Sequence, residues 1–382
     1  MGSNMWPVQS GRQPPATECS ATSWLSKTTQ DALDAGLTFS PCRCALAHPQ
    51  SCPAAHSIPQ PFSNQTRVNH LWQLSRQLES YHGSRCRTVA YQVAFGAKYV
   101  RQSHSRAPLH LCDSCCFFRI VLGNDSSPPV ISHGNSFVLG LDASLLLFGG
   151  SHNIMRRNVK VFKLLGTHLF AWAKWLVWID SKLDGDYQRN NERLNAMKNY
   201  VQRSRRGRDN DGVCAVFIGL PAHPHAFGKG ELDPSRLTLQ LHAKTIRESN
   251  MHRNTTDDVT LVERQIDAYF VGKGSNAKRG LQLSLIDSAF FVRNHQTAEC
   301  AAFNAQLGCA WLNEVSCYSD RDQLSFPAVV SSTLQLATRD VPAAQLFGRN
   351  AKDRLFRDRS GKPCLAVLAP QRGTQPLHWY YK

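Results

Sequence analysis

Three stretches combine residue types that can do chemistry. In the first, the unbroken apolar run Trp175-Leu176-Val177-Trp178-Ile179 stops at Asp180-Ser181-Lys182, with Asp184-Gly185-Asp186 just beyond. In the second, Phe290-Phe291-Val292 stops at Arg293-Asn294-His295. The third gathers Asn313, Glu314, Arg321, Asp322 and Gln323 between aromatic residues. A carboxylate at the end of a buried strand is costly unless a cation or a set of donors meets it. A divalent ion bridging two phosphates supplies that charge, and hard oxygen ligands suit Mn2+ or Mg2+. On this reading Asp180 and His295 hold the metal, while Lys182 and Arg293 steady a diphosphate. Asn313, Arg321 and Gln323 suit the hydroxyls of a sugar, and Glu314 or Asp322 is suited to take a proton from an acceptor hydroxyl. Plainer roles stay open for each. Asp180 can cap the next helix with Lys182 as its ion pair, and His295 can be a surface residue at a strand end. Asp184-Gly185-Asp186 is equally typical of a turn. A helix starting at Ser319 or Asp320, with Arg321 paired to Glu314 or another nearby acid, accounts for the third cluster.

The elements that must position these residues follow from periodicity. Residues 88–95, 115–122, 137–141, 175–179, 213–220 and 289–293 read as strands. Helical spacing is expected over 158–170, 187–203, 232–249, 259–271, 298–312 and 320–334. Strands alternating with helices predict an α/β domain with a mainly parallel sheet flanked by helices. In such sheets ligands bind at the carboxyl ends of strands, where Asp180 is expected. The domain should span 87–335. Residues 1–86 read as a poorly ordered Pro/Ser/Cys-rich arm holding one helix near 68–81, and 336–382 read as a tail.

The formal charge of +16 over 382 residues favours an anionic partner. No nucleic-acid-binding signature accompanies it, so nucleic acid is not expected. The basic run Arg203, Arg205, Arg206, Arg208 reads first as a solvated loop. Thirteen cysteines, with sequons at Asn64, Asn124 and Asn254, suggest the lumen of the secretory pathway, and so the Golgi. Within the arm, Cys42, Cys44, His48, Cys52 and His56 lie close enough for a metal module, although their spacing favours disulfides or disorder. Cys112, Cys115 and Cys116 lead into an apolar run and read as a buried strand start. Residues 1–17 lack the basic-then-apolar order of a signal peptide. The longest apolar runs are interrupted by Asp142 and Lys174, so no transmembrane segment is expected.

The same words resemble a family. Arg156-Arg157-Asn158-Val159-Lys160-Val161-Phe162-Lys163 before Thr167-His168-Leu169-Phe170, the strand end from Trp178 to Lys182, Trp311 to Val315 and Arg321 to Phe326 occur in consistent order over roughly 250 residues. Weaker matches join His223-Pro224, Gln265 and residues 89–96. The chain is similar to the plant glycosyltransferase-like domain family that includes mucilage-pectin galacturonosyltransferases and a protein described as an alkaline ceramidase. The resemblance implies a GT-A-like nucleotide-diphospho-sugar transferase fold. It also implies a metal-dependent transfer from a nucleotide sugar, such as a UDP-sugar, to a glycan acceptor of cell-wall or matrix type. A non-catalytic glycan-binding relative and a ceramide hydrolase that activates a metal-bound water are the other classes it admits. Two positions depart from the family: Asn294 stands where Glu is usual, and no basic residue directly follows His223-Pro224.

Overall fold

The computed structural model describes residues 65–82, 85–95, 115–122, 130–141, 146, 155–183, 187–204, 212–219, 239–253, 259–270, 285–342 and 352–368. In chain order these form helix α1 (Gln65–His82), β1 (Thr88–Ala94), β2 (Cys115–Leu122), β3 (Val130–His133) and β4 (Ser136–Leu141). Helix α2 (Met155–Leu164), the single turn α3 (Gly166–Leu169), β5 (Trp175–Ile179), α4 (Tyr187–Ser204) and β6 (Ala215–Gly219) follow. Then come α5 (Leu239–Arg253), α6 (Val259–Phe270), β7 (Ile286–Asn294), α7 (Ala298–Cys317) and α8 (Asp322–Ala328). Three strands follow: β8 (Ala337–Pro342), β9 (Lys352–Arg357) and β10 (Pro363–Leu368).

All ten strands share one sheet in the order β3-β4-β2-β1-β5-β7-β6-β10-β9-β8. Strands β4, β2, β1 and β5 run parallel, as do β6 and β10. Between these two groups β7 runs antiparallel to both β5 and β6. The α/β class holds, but the sheet is mixed rather than mainly parallel. The direction of β7 is a property of its long-range pairing, which an apolar run does not encode. The carboxyl ends of β5 and β6 therefore share an edge with the amino end of β7.

Strand β5 is apolar at every position because both faces of the sheet are covered. On one face Tyr91, Phe118, Trp178, Phe217 and Phe291 pack with Phe162, Leu164, Trp311 and Phe326 from α2, α7 and α8. On the other, Val177, Ile179, Phe290 and Val292 meet Leu194, Met197 and Val201 of α4. Strand β4 alternates between buried and half-buried positions, as a strand near the sheet margin does.

Both expected domain boundaries move outward. Helix α1, placed in the arm by sequence, is docked: Leu78 is buried, and the Ser75 hydroxyl donates to the carbonyls of His168 and Leu169 at 2.9 and 3.0 Å. The expected tail contributes three strands, with β10 paired in parallel to β6. Its signal was weak because β10 is only six residues long and depends on a distant partner. The helix expected over 320–334 divides into α8 and a π-helical turn at Val329–Thr333. Pro327 interrupts the regular amide ladder there. Disulfides Cys86–Cys116 and Cys214–Cys300 join β1 to β2 and β6 to α7. Cys115 opens β2 as expected and, like Cys309, Cys317 and Cys364, is also disulfide-bonded. The Cys42–His56 cluster, Cys112, the three sequon asparagines, Asp184 to Asp186, Arg205 to Arg208 and His223-Pro224 lie outside the described residues.

Candidate functional site

Asp180 leaves β5 at the carboxyl edge, where its amide donates to the Ala289 carbonyl of β7 at 2.8 Å. Its own carbonyl accepts from Leu183 at 2.8 Å, closing the one-turn helix Ser181–Leu183. The chain thus turns away from the sheet immediately, leaving the acid half-buried at the strand end. Lys182 lies in that turn, and its side chain is outside the described features.

A cation that feels the charge of this acid comes from α2. Lys163 is buried beneath the sheet, with its ammonium 5.4 Å from the Trp178 ring and 5.9 Å from the Phe291 ring. It is paired with one oxygen of Asp322, and Lys160 takes the other oxygen at 2.9 Å. Burial pushes the Lys163 ammonium down to about 8 despite the pull of Asp322 and Asp180. Asp322 is itself buried, which raises its pKa, but the two lysines outweigh that and hold it far below the usual carboxylate range. Both partners are therefore ionised near pH 7. Asp322, expected as a proton acceptor, is a poor base, because both oxygens are occupied and its proton affinity is suppressed. It positions the two lysines instead.

Around this pair, α2 grips the end of α7. Arg157 donates to the carbonyls of Val315, Ser316 and Tyr318, satisfying acceptors that a helix end leaves open. Arg156 pairs with Asp320 at 3.2 Å. The helix expected at Ser319 or Asp320 begins at Asp322, with Arg321 at its cap position. Asn313 and Glu314 are half-buried in the last turn and a half of α7, and Gln323 is half-buried in the first turn of α8.

Glu314 belongs to a second polar network. The Tyr269 hydroxyl donates to its carboxylate at 2.8 Å and accepts from the Gln265 amide at 2.8 Å. Gln265 in turn accepts from the Ser319 hydroxyl at 2.5 Å. Burial, and then the carboxylate beside it, raise the Tyr269 phenol well above its ordinary value, so it remains a donor to Glu314. The Tyr318 ring meets Tyr269 edge-on at 5.7 Å.

The expected metal pair does not form. His295 follows β7 at the opposite edge of the sheet, where its amide donates to the Lys174 carbonyl ahead of β5. Six residues of extended chain, about 20 Å, separate that point from Asp180. Strand β7 runs against β5, so its polar carboxyl end and the polar carboxyl end of β5 lie apart. For the same reason Arg293 does not reach the site. It is fully buried and donates to the Leu164 carbonyl at 3.0 Å and the Thr167 hydroxyl at 3.1 Å. Among the described residues no three His, Cys, Asp or Glu side chains converge on a metal.

Asp180 and the Asn313–Gln323 cluster are thus linked through Lys160 and Lys163, two residues to which sequence reasoning gave no role. A signal was present, since both belong to the quoted Arg-Arg-Asn motif and follow each other at helical spacing. Tyr269 left none, because a lone tyrosine on an amphipathic helix looks like core.

Residues 240–358 match a protein-family model described as "TOD1/MUCI70, glycosyltransferase-like domain". The match takes in β7, α7, α8 and β9, whereas Asp180 and the α2 lysines lie before it. Neither the curated proteins nor the solved structures yield a match.

Proposed function

We propose that this chain, a member of the TOD1/MUCI70 glycosyltransferase-like family through residues 240–358, transfers a sugar from a nucleotide-diphospho-sugar to a glycan acceptor. The donor is taken to be a UDP-sugar and the scaffold a GT-A-like form of the α/β fold. One observation carries the reading: Asp180, at the carboxyl end of β5, acts electrostatically on the Lys160–Lys163–Asp322 cluster, and Arg156 and Arg157 of the same helix hold the end of α7 that bears Glu314.

A Mn2+ or Mg2+ ion fits Asp180 by chemistry. Such ions are commonly held by one or two carboxylates together with substrate phosphates, and Asp180 offers a hard oxygen at the mouth of the sheet. Bound there, the ion would offset charge developing on the departing diphosphate. His295 is not part of that donor set. Lys160 keeps 15% of its side chain exposed and supplies a cation beside the same edge. Glu314, oriented by Tyr269, is the acid best placed to take the acceptor proton. A secretory lumen suits the chain, since all eight described cysteines are disulfide-bonded.

The test is thermal stabilisation of the intact protein by UDP with Mn2+, followed by turnover of a UDP-sugar panel. Wild type should be stabilised only when metal and UDP are both present, and Asp180→Ala should lose that response while staying folded. Glu314→Gln should keep UDP binding and lose turnover by about 100-fold or more. Absence of any metal-dependent UDP response in wild type would sink the reading. The engagement of both Glu314 and Asp322 in internal contacts favours a second one, a non-catalytic glycan binder. That protein would retain glycans equally well after Asp180→Ala and turn over no nucleotide sugar.

A further inference from the structure

Arg293 is free of the proposed reaction, and its setting is unusual. The guanidinium is fully buried. Its Nη1 is used on the Leu164 carbonyl and the Thr167 hydroxyl, and the Phe291 ring lies 5.0 Å away. Its Nε and Nη2 meet no acceptor among the described residues, and no described carboxylate pairs with it. The adjoining titratable groups are no substitute. His295 touches Thr167 at 3.3 Å, His168 lies nearby, and both imidazoles are pushed down to about 3 by burial and then by the Arg293 charge. Tyr91 is also close, but burial raises its phenol well above its ordinary value, so it stays neutral. Tyr91, His168 and His295 are therefore all neutral neighbours of this cation.

An ionised guanidinium in such a place is costly unless something negative or strongly accepting meets it. Nε and Nη2 form one flat edge of the guanidinium, the side-on fork that takes anions with two parallel hydrogen bonds. We propose that this edge of Arg293 binds a small monovalent inorganic anion of the chloride class inside the domain. Thr167 holds the other edge of the guanidinium so that the fork stays aimed. Full burial of the side chain in a close-packed interior limits the ligand to something small. The site lies toward the opposite sheet edge from Asp180, because Arg293 pairs with Leu176 near the start of β5. It is therefore independent of the transferase reading.

The experiment is thermal unfolding of the full chain at constant ionic strength, with gluconate replaced stepwise by chloride. A tenfold rise in chloride near saturation should raise Tm by a few degrees, the shift expected for an anion that binds only the folded state. Arg293→Met should abolish the chloride dependence. If that variant does not fold, Thr167→Val, which leaves the charge in place, should weaken it. Crystals grown in bromide should show anomalous density within hydrogen-bonding distance of Nε and Nη2. Coincident melting curves in gluconate and chloride would overturn the proposal, as would a water molecule or a protein carboxylate occupying that fork.

Discussion

Asp322 and its lysines show how a buried charge can look catalytic in sequence and act as a positioning group in the fold. Deleting it should leave Lys163 desolvated and unpaired, which typically costs about 3–5 kcal/mol. Asp322→Ala is expected to lower the denaturant midpoint accordingly, and Asp322→Ala with Lys163→Met should recover most of the loss. If the single variant were as stable as wild type, the ion pair would not have the role given to it here. The two neutral histidines give a pH dependence of definite sign. Their folded pKa values of about 3 lie below the ordinary value near 6.5. The unfolded chain therefore binds protons that the native one refuses, and stability falls as pH drops from about 6.5 toward 3. Each histidine contributes up to about 1.4 kcal/mol per pH unit in that window. Urea titrations at pH 6.5 and 4.5 should show this slope, and His168→Gln should make it shallower.

Among the elements, α2 and α7 depend most on close contact. Gly308 lets α7 approach until its backbone lies against the Leu164 carbonyl, where a Cβ would come within 2.3 Å. Backbone cannot swing aside as a side chain can, so Gly308→Ala must push the helices apart. A loss of about 1–3 kcal/mol is expected from such overpacking. The change would also pull Arg157 from the α7 carbonyls and Lys163 from Asp322. Weaker UDP binding together with a lower melting temperature is therefore expected, and normal values of both would show that the helices have slack. Gly166 plays a similar part, since a Cβ there would run into the Tyr91 hydroxyl that donates to the Lys163 carbonyl at 2.7 Å.

For the molecule as a whole, the sheet has contributors from nearly the entire described chain, from β1 to β10. Covalent bonds reinforce that closure. Cys214–Cys300 spans 86 residues and ties the start of β6 to the first turn of α7. Replacing both cysteines with serine should cost about 2–5 kcal/mol. Both sulfurs are buried, so the native protein should resist a mild reductant and lose the bond only once denaturant opens the core. Rapid reduction of the folded protein, followed by mass spectrometry, would count against this placement. Among the described residues no helix is long and apolar enough to cross a membrane.

The sequence alone determined most of the local structure. Strands β1, β2, β4 and β5, and helices α4 and α6, stand where periodicity placed them, because burial on one or two faces leaves its mark on consecutive residues. It also marked Asp180 as a strand-end acid, and the words around Asn313 and Asp322 lie in the stretch that matches the glycosyltransferase-like family model. Strand direction it could not encode. Phe290 to His295 reads the same whether β7 runs with β5 or against it, yet that one choice moved His295 and Arg293 to the far edge and dissolved the expected metal pair. Pairings such as Lys163 with Asp322, 159 residues apart, were equally hidden, since they exist only once the helices cross. Strand β10 was missed for the same reason: six apolar residues become a strand only when β6 is beside them.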